Sequence, residues 1–257
     1  MITADDINMS AWLSTAIYTL PEDPTRWVDH AISPDQKMLV RSAPLSKNVV
    51  GLPGTIEIGI VTQGDTAYVV YSGTEDSEFW AYNFSWLPAE YLGYKIHDGF
   101  FRLANEAFVV LRTHTFDKGV TRIVHCGHSA GGAVAGIMPL LLRMPQESFI
   151  VDFGTPKYMS PLKPREEIAY EYPRVRFVNQ LDIVPAIPTP RYSHFGRTVY
   201  TRNGLETTSL TIGERLCGLW CYAKKCFVFR LMEEVKNKHS VTRYALGAVD
   251  HAEKRRV

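Results

Sequence analysis

GVTRIVHCGHSAGGAVAGIM, residues 119 to 138, is the stretch on which the reading of this chain turns. Within it a β-branched apolar run (Val120, Ile123, Val124) stops at Gly127-His128-Ser129-Ala130-Gly131-Gly132, and small residues at helical spacing follow (Ala133, Ala135, Gly136, Ile137). That order describes a strand, a sharp turn and a helix. The turn has the form G-x-S-x-G: glycines two residues to either side of Ser129 let strand and helix crowd together and leave the serine strained and exposed at the tip. A Gly-rich βα turn with an incidental serine has the same pentapeptide, so the rest of the chain must supply partners for Ser129.

The 257 residues suit one α/β domain spanning the whole chain, and a hydrophobic content of 46% can fill its core. Net charge is +1, and the only basic run is Lys254-Arg255-Arg256, so nothing points to a nucleic-acid partner. Four cysteines (Cys126, Cys217, Cys221, Cys226) are too few and too clustered for a disulfide framework, which is compatible with a reducing compartment. Asp5 and Asp6 stand where a secretory signal would be basic, and Ser and Thr interrupt the apolar stretch after them. The expectation is no signal peptide and no membrane-spanning segment; the compartment stays open, with the cytoplasm favoured.

Residues 6 to 20 place Ile7, Met9, Trp12, Leu13, Ala16, Ile17 and Leu20 mostly on one helical face, and Pro21 and Pro24 end the run. The following region, through Pro53, reads as irregular. Two strands, Thr55 to Thr62 and Ala67 to Tyr71, are joined by the turn Gln63-Gly64-Asp65 in a hairpin. An amphipathic helix from Phe101 to about Thr115 then crosses over to the strand before Ser129, which makes a βαβ unit and a parallel sheet. Further strands are expected at Ser148 to Phe153 and Arg174 to Asn179, whose ends lie where open parallel sheets assemble their sites.

A strained serine becomes a nucleophile only with an acid, a base and an oxyanion hole around it. One oxyanion donor in such elbows is the amide after the serine, here Ala130, and the other comes from the loop after an earlier strand, which makes Thr74 of Ser72-Gly73-Thr74 the candidate. A plain turn is the alternative reading of that loop. For the acid, Asp182 follows a strand and precedes the Pro-stiffened Ile183-Val184-Pro185; Asp152, inside a strand, and Asp250, in the C-terminal tail, are the competitors. The chain order Ser, acid, His leaves three of the eight histidines: His194 in a short turn, His251 in a charged tail, and His239 on a loop entering a helix. His239 is the preferred base.

Taken in series, Tyr71-Ser72-Gly73-Thr74, His97-Asp98-Gly99-Phe100, Gly127-His128-Ser129-Ala130-Gly131-Gly132-Ala133, Phe153-Gly154-Thr155-Pro156-Lys157, Asp182-Ile183-Val184-Pro185-Ala186-Ile187-Pro188 and His239 resemble the class 3 (fungal-type) lipases over roughly residues 55 to 250. The resemblance implies an α/β-hydrolase-like fold with a mostly parallel central sheet flanked by helices. It also implies a triad of Ser129, Asp182 and His239, and oxyanion donors at Thr74 and Ala130. The aromatic stretch 75–93 then lies where the family keeps its lid, with Trp80, Phe84 and Trp86 as substrate-binding candidates. An ordinary core is the other reading of those aromatics. Three positions depart from the family pattern: Ser72 where Arg is usual, Ala130 where Leu is common, and Lys238 where Asp often precedes the histidine.

Residues 214–235 have no counterpart in that pattern. Their apolar face (Leu216, Leu219, Trp220, Phe227, Phe229) is edged by Arg215, Lys224, Lys225 and Arg230. A second lid, a peripheral lipid-interface surface, and core or dimer packing all fit this composition. The cysteine spacing is a poor zinc pattern. The functional expectation is a serine carboxylic-ester hydrolase acting on lipid acyl esters, with no metal or organic cofactor required. The alternative is a catalytically silent relative that binds lipid or a protein through its aromatic surface.

Overall fold

The computed structural model describes residues 1–19, 38–44, 55–73, 88–116, 118–161, 172–179, 182–187, 191–202, 205–207 and 239–254. The elements run α1 (Ala4–Ala16), β1 (Met38–Pro44), β2 (Thr55–Gln63), β3 (Thr66–Tyr71), β4 (Pro88–Tyr91), β5 (Tyr94–His97), α2 (Asp98–Leu111) and β6 (Arg122–His128). They continue as α3 (Ala130–Leu142), β7 (Glu147–Phe153), β8 (Met159–Pro161), β9 (Arg174–Asn179), β10 (Arg197–Arg202), β11 (Leu205–Thr207) and α4 (Val241–Glu253).

One eight-stranded sheet dominates, in the order β1-β2-β3-β6-β7-β9-β10-β11. Its centre, β3 through β10, is parallel, and antiparallel pairs at β1-β2, β2-β3 and β10-β11 close the flanks. Strands buried on both faces read as near-continuous apolar runs, and β3 (TAYVVY) is buried throughout. Side chains alternate between the two faces. Ala67, Val69, Tyr71 and Ile123 pack toward α2 and α3, while Tyr68, Val70, Val124, Cys126, Phe149, Val151 and Phe153 pack toward α1 and α4. The result is a three-layer α/β-hydrolase architecture in which every parallel strand ends on the same edge.

Several elements refine the expectations. Helix α2 starts at Asp98, directly after β5, because Asp98 brings a negative charge to the helix N-terminus and pairs with Arg102 at 2.9 Å. Its buried stripe (Leu103, Ala107, Leu111) is the one the spacing indicates. The region expected to be irregular contains β1, which pairs with β2 from Met38↔Val61 to Pro44↔Thr55. Being an edge strand, β1 tolerates the Arg41, Ser42 and Pro44 that hide it from pattern reading. The end of the 75–93 stretch is also a strand: β4 pairs with β5, and β5 with β8, in a separate three-stranded sheet. Thr74, Trp80, Phe84, Trp86 and the 214–235 segment lie outside the described residues. Among those described, no helix is long and apolar enough to cross a membrane.

Candidate active site

Ser129 sits between β6 and α3 with φ 59° and ψ −125°, a backbone conformation that is strained for a residue with a Cβ. Close packing enforces it. A Cβ on Gly127 would lie 2.5 Å from the Gly131 carbonyl carbon, and one on Gly131 would lie 2.1 Å from the Tyr71 carbonyl oxygen. The turn is therefore wedged between its own helix and the end of β3, and the Ser129 amide donates across to the Phe153 carbonyl at 2.9 Å. Ala130 heads α3, where first-turn amides have no intrahelical acceptor. On the far side, a Cβ on Gly73 would stand 3.3 Å from Ser129 Cβ. The loop that continues into Thr74 thus begins against the serine.

Asp182 follows β9 on a turn closed by its own amide to the Asn179 carbonyl at 3.3 Å. Its Oδ1 accepts the Val184 amide at 2.9 Å, and its Oδ2 accepts from His239 Nδ1 at 2.7 Å and from the Tyr244 hydroxyl. The carboxylate is fully buried. Burial and the Asp182 charge push the Tyr244 hydroxyl well above its ordinary pKa, so it remains a donor, and it in turn accepts the Asn179 amide at 3.0 Å. With Nδ1–H given to the carboxylate, the His239 lone pair sits on Nε2. Among the described residues neither His239 Nε2 nor Ser129 Oγ has a hydrogen-bond partner, and both atoms are buried. Gly154, at φ +59°, makes room for this pair of rings: a Cβ there would come within 3.0 Å of His239 Cε1 and 2.8 Å of Tyr244 Cε2.

The competing residues are engaged elsewhere. Asp152 holds Arg174 at 2.5 Å within the sheet, and Asp250 pairs with Lys254 on the outside of α4. His194 donates to the Pro185 carbonyl at 2.5 Å; burial, then Arg176, push its pKa down to about 2, so it cannot serve as a proton carrier. His251 does not lie in a solvated tail. It is buried on α4, edge-on to Phe177, because the helix extends to Glu253 and turns this residue inward. Among the described residues no cluster of metal ligands occurs.

Three residues of the site were not indicated by the sequence: Tyr244, His128 and Tyr18. Tyr244 stands in the helix entered from His239, where a polar-tipped residue one turn into an otherwise small-residue stretch was a usable signal. Tyr18, in the short 3-10 turn after α1, carried no such signal.

A serine at positive φ between a parallel strand and a helix, with a carboxylate-backed imidazole on later loops, is the nucleophile elbow of an α/β-hydrolase. Residues 68–192 match the family described as lipase (class 3). It is 27% identical over 170 residues to a lipase of Rhizomucor miehei, an alignment that covers 59% of this chain and 47% of that one, so the chain spans about half the length of this relative. Two solved structures share the fold. One is a triacylglycerol lipase whose catalytic centre is a serine protease triad (TM-score 0.57, 21% identity, 84% of this chain and 88% of that one). The other is a fungal lipase–inhibitor complex described as a model for interfacial activation (TM-score 0.58, 21% identity, 83% and 88%).

Proposed function

We propose that this chain is a serine carboxylic-ester hydrolase that cleaves lipid acyl esters through an acyl-enzyme. The carrying observation is the buried Asp182–His239 pair at 2.7 Å on the same sheet edge as a strained Ser129 whose Oγ has no hydrogen-bond partner among the described residues. In this reading His239 Nε2 takes the Ser129 proton as Oγ attacks the ester carbonyl. The resulting imidazolium is held by Asp182 and gives its proton to the leaving alcohol. Water then attacks the acyl-serine with His239 again as base, releasing the acid and restoring Oγ–H. The Ala130 and Thr74 amides take the oxyanion, where one such donor is worth about two to three orders of magnitude in rate.

The match of residues 68–192 to the lipase (class 3) family and the triad of the triacylglycerol lipase neighbour support this reading. The aromatic stretch carrying Trp80, Phe84 and Trp86 supplies an acyl-binding wall or lid, and a lipid interface is the natural partner. The chemistry requires no metal or organic cofactor. The test is labelling with a fluorophosphonate together with turnover of p-nitrophenyl esters. Wild type is expected to label at one site and turn over, while Ser129→Ala and His239→Ala abolish turnover. A folded wild type that does not label would instead leave the silent lipid- or protein-binding relative. Chain-length profiles with and without emulsified lipid then separate triacylglycerol, phospholipid and aryl-ester substrates.

A further inference from the structure

His128, the residue before the elbow serine, has a place in the structure that the triad does not use. It is buried, and both ring nitrogens are engaged: Nε2 with the main-chain carbonyl of His239 at 2.7 Å, and Nδ1 with the Tyr18 hydroxyl at 3.1 Å. The tautomer follows from the partners. A carbonyl oxygen can only accept, so Nε2 carries the hydrogen; Nδ1 of the neutral ring then accepts from the Tyr18 O–H. The Tyr18 oxygen itself accepts the Gly73 amide at 2.9 Å. Gly73 precedes Thr74, and a Cβ on it would stand 3.3 Å from Ser129 Cβ. A continuous path of hydrogen bonds therefore runs from Gly73 through Tyr18 and His128 to the backbone of His239.

We propose that His128 is a positioning residue that ties the main chain of His239 to the Gly73 end of the oxyanion loop, so that base and oxyanion loop are held as one body around Ser129. The proposal rests on the hydrolase reading above. Among the described residues Asp182 is the one hydrogen-bond partner of the His239 ring, at Nδ1, so a single polar contact sets its direction. A second anchor on the carbonyl of the same residue fixes the backbone that carries the ring. Misplacement by about 1 Å in such a constellation lowers turnover about 100-fold.

The ring must also remain uncharged for this task. Its centroid lies 4.5 Å from that of His239, so a cation at His128 would oppose the imidazolium that forms there. Burial, and then the neighbouring His239, hold the His128 pKa well below its ordinary value. Glutamine can reproduce the Nε2–H donor, whereas leucine keeps bulk and loses both bonds.

The experiment compares wild type, His128→Gln, His128→Leu and Tyr18→Phe in the full chain on p-nitrophenyl butyrate. Expected for His128→Leu is a kcat about 100-fold lower with KM within about twofold, and for His128→Gln recovery to within about tenfold of wild type. Tyr18→Phe lowers kcat less and adds nothing on the leucine background, the signature of a shared path. A folded His128→Leu protein with wild-type kcat, or a glutamine variant as impaired as leucine, overturns the proposal. If wild type neither labels with a fluorophosphonate nor turns over, the hydrolase reading has failed, and the tether is judged by amide hydrogen exchange instead. Faster exchange at Arg243 and Tyr244 in the leucine variant but not in the glutamine one, and at Gly73 in Tyr18→Phe, supports it. Unchanged exchange in all three variants overturns it.

Discussion

Asp182 concentrates three hydrogen bonds on one buried carboxylate: the Val184 amide on Oδ1, and His239 and Tyr244 together on Oδ2. Replacing it with Asn leaves the volume but puts either an N–H or a weaker acceptor opposite His239 Nδ1, which turns the ring to the wrong tautomer. Asp182→Asn is therefore expected to lower kcat by about four orders of magnitude, the scale of the equivalent change in a serine protease triad, with KM nearly unchanged. Tyr244→Phe removes a hydrogen bond to a charged group, worth about 1.5–3 kcal/mol, and stopped-flow acylation rates should fall by roughly one order of magnitude. At this scale chain order and turn chemistry single out Ser129, Asp182 and His239 as candidates, and the structure brings Asp182 and His239 into contact. Tyr244 and Tyr18 were not, because their partners lie 62 residues away at Asp182 and 110 away at His128.

The elbow is a property of two elements pressed together, and its glycines carry the contact. At Gly131 a methyl group would meet the Tyr71 and Ser72 carbonyl oxygens at 2.1 and 2.8 Å, which are backbone atoms that cannot step aside. Gly119, by contrast, has open space around it. Gly131→Ala is expected to destabilise by about 3 kcal/mol or more in urea titrations, and Gly119→Ala to leave the midpoint nearly unchanged. Between β7 and β9 the buried Asp152–Arg174 pair plays a different part, with Arg174 also reaching the Tyr158 hydroxyl at 2.7 Å. Asp152→Ala strands the guanidinium and should lower stability by about 3–5 kcal/mol, whereas Asp152→Leu combined with Arg174→Met should recover most of that loss. β3, β6, β7 and β9 were readable because burial on both faces writes long apolar runs, and α2 because its apolar stripe keeps helical spacing. The outer strands β1, β10 and β11 and the short β4, β5 and β8 were not, since pairing with a neighbour, not pattern, makes them strands.

His97, His125, His128 and His194 are held in the neutral form. Burial pushes His97 down to about 4, His125 to about 3 and His194 to about 2, from an ordinary value of 6.5. Below pH 6.5 the unfolded chain binds protons that the folded chain refuses, so stability is full above that pH and falls as pH drops toward 4 and below. Thermal midpoints should be flat above pH 7 and decline steadily under pH 6. His125→Phe, despite losing the Tyr71 contact at 2.8 Å, should show a shallower decline with acid. The α/β class and a parallel sheet were evident from alternating strand and helix patterns. The way α1 and α4 pack on each other was not, because it joins opposite ends of the chain.

That pairing bears on how the molecule comes into being on the ribosome. One face of the central sheet, carrying Tyr68, Val70, Val124, Cys126, Val151 and Phe153, is roofed by the first helix and the last. During synthesis β3, β6 and β7 emerge in turn with α2 and α3 ready to cover one side, but the other side stays half bare until α4 follows. The same last helix brings Tyr244 and is entered from His239. A nascent chain stalled before residue 239 thus displays a sticky apolar sheet and an elbow serine with no base beside it. Ribosome-bound intermediates of this protein should recruit holding chaperones until α4 has emerged, and reactivity at Ser129 should switch on only when the sheet is sealed.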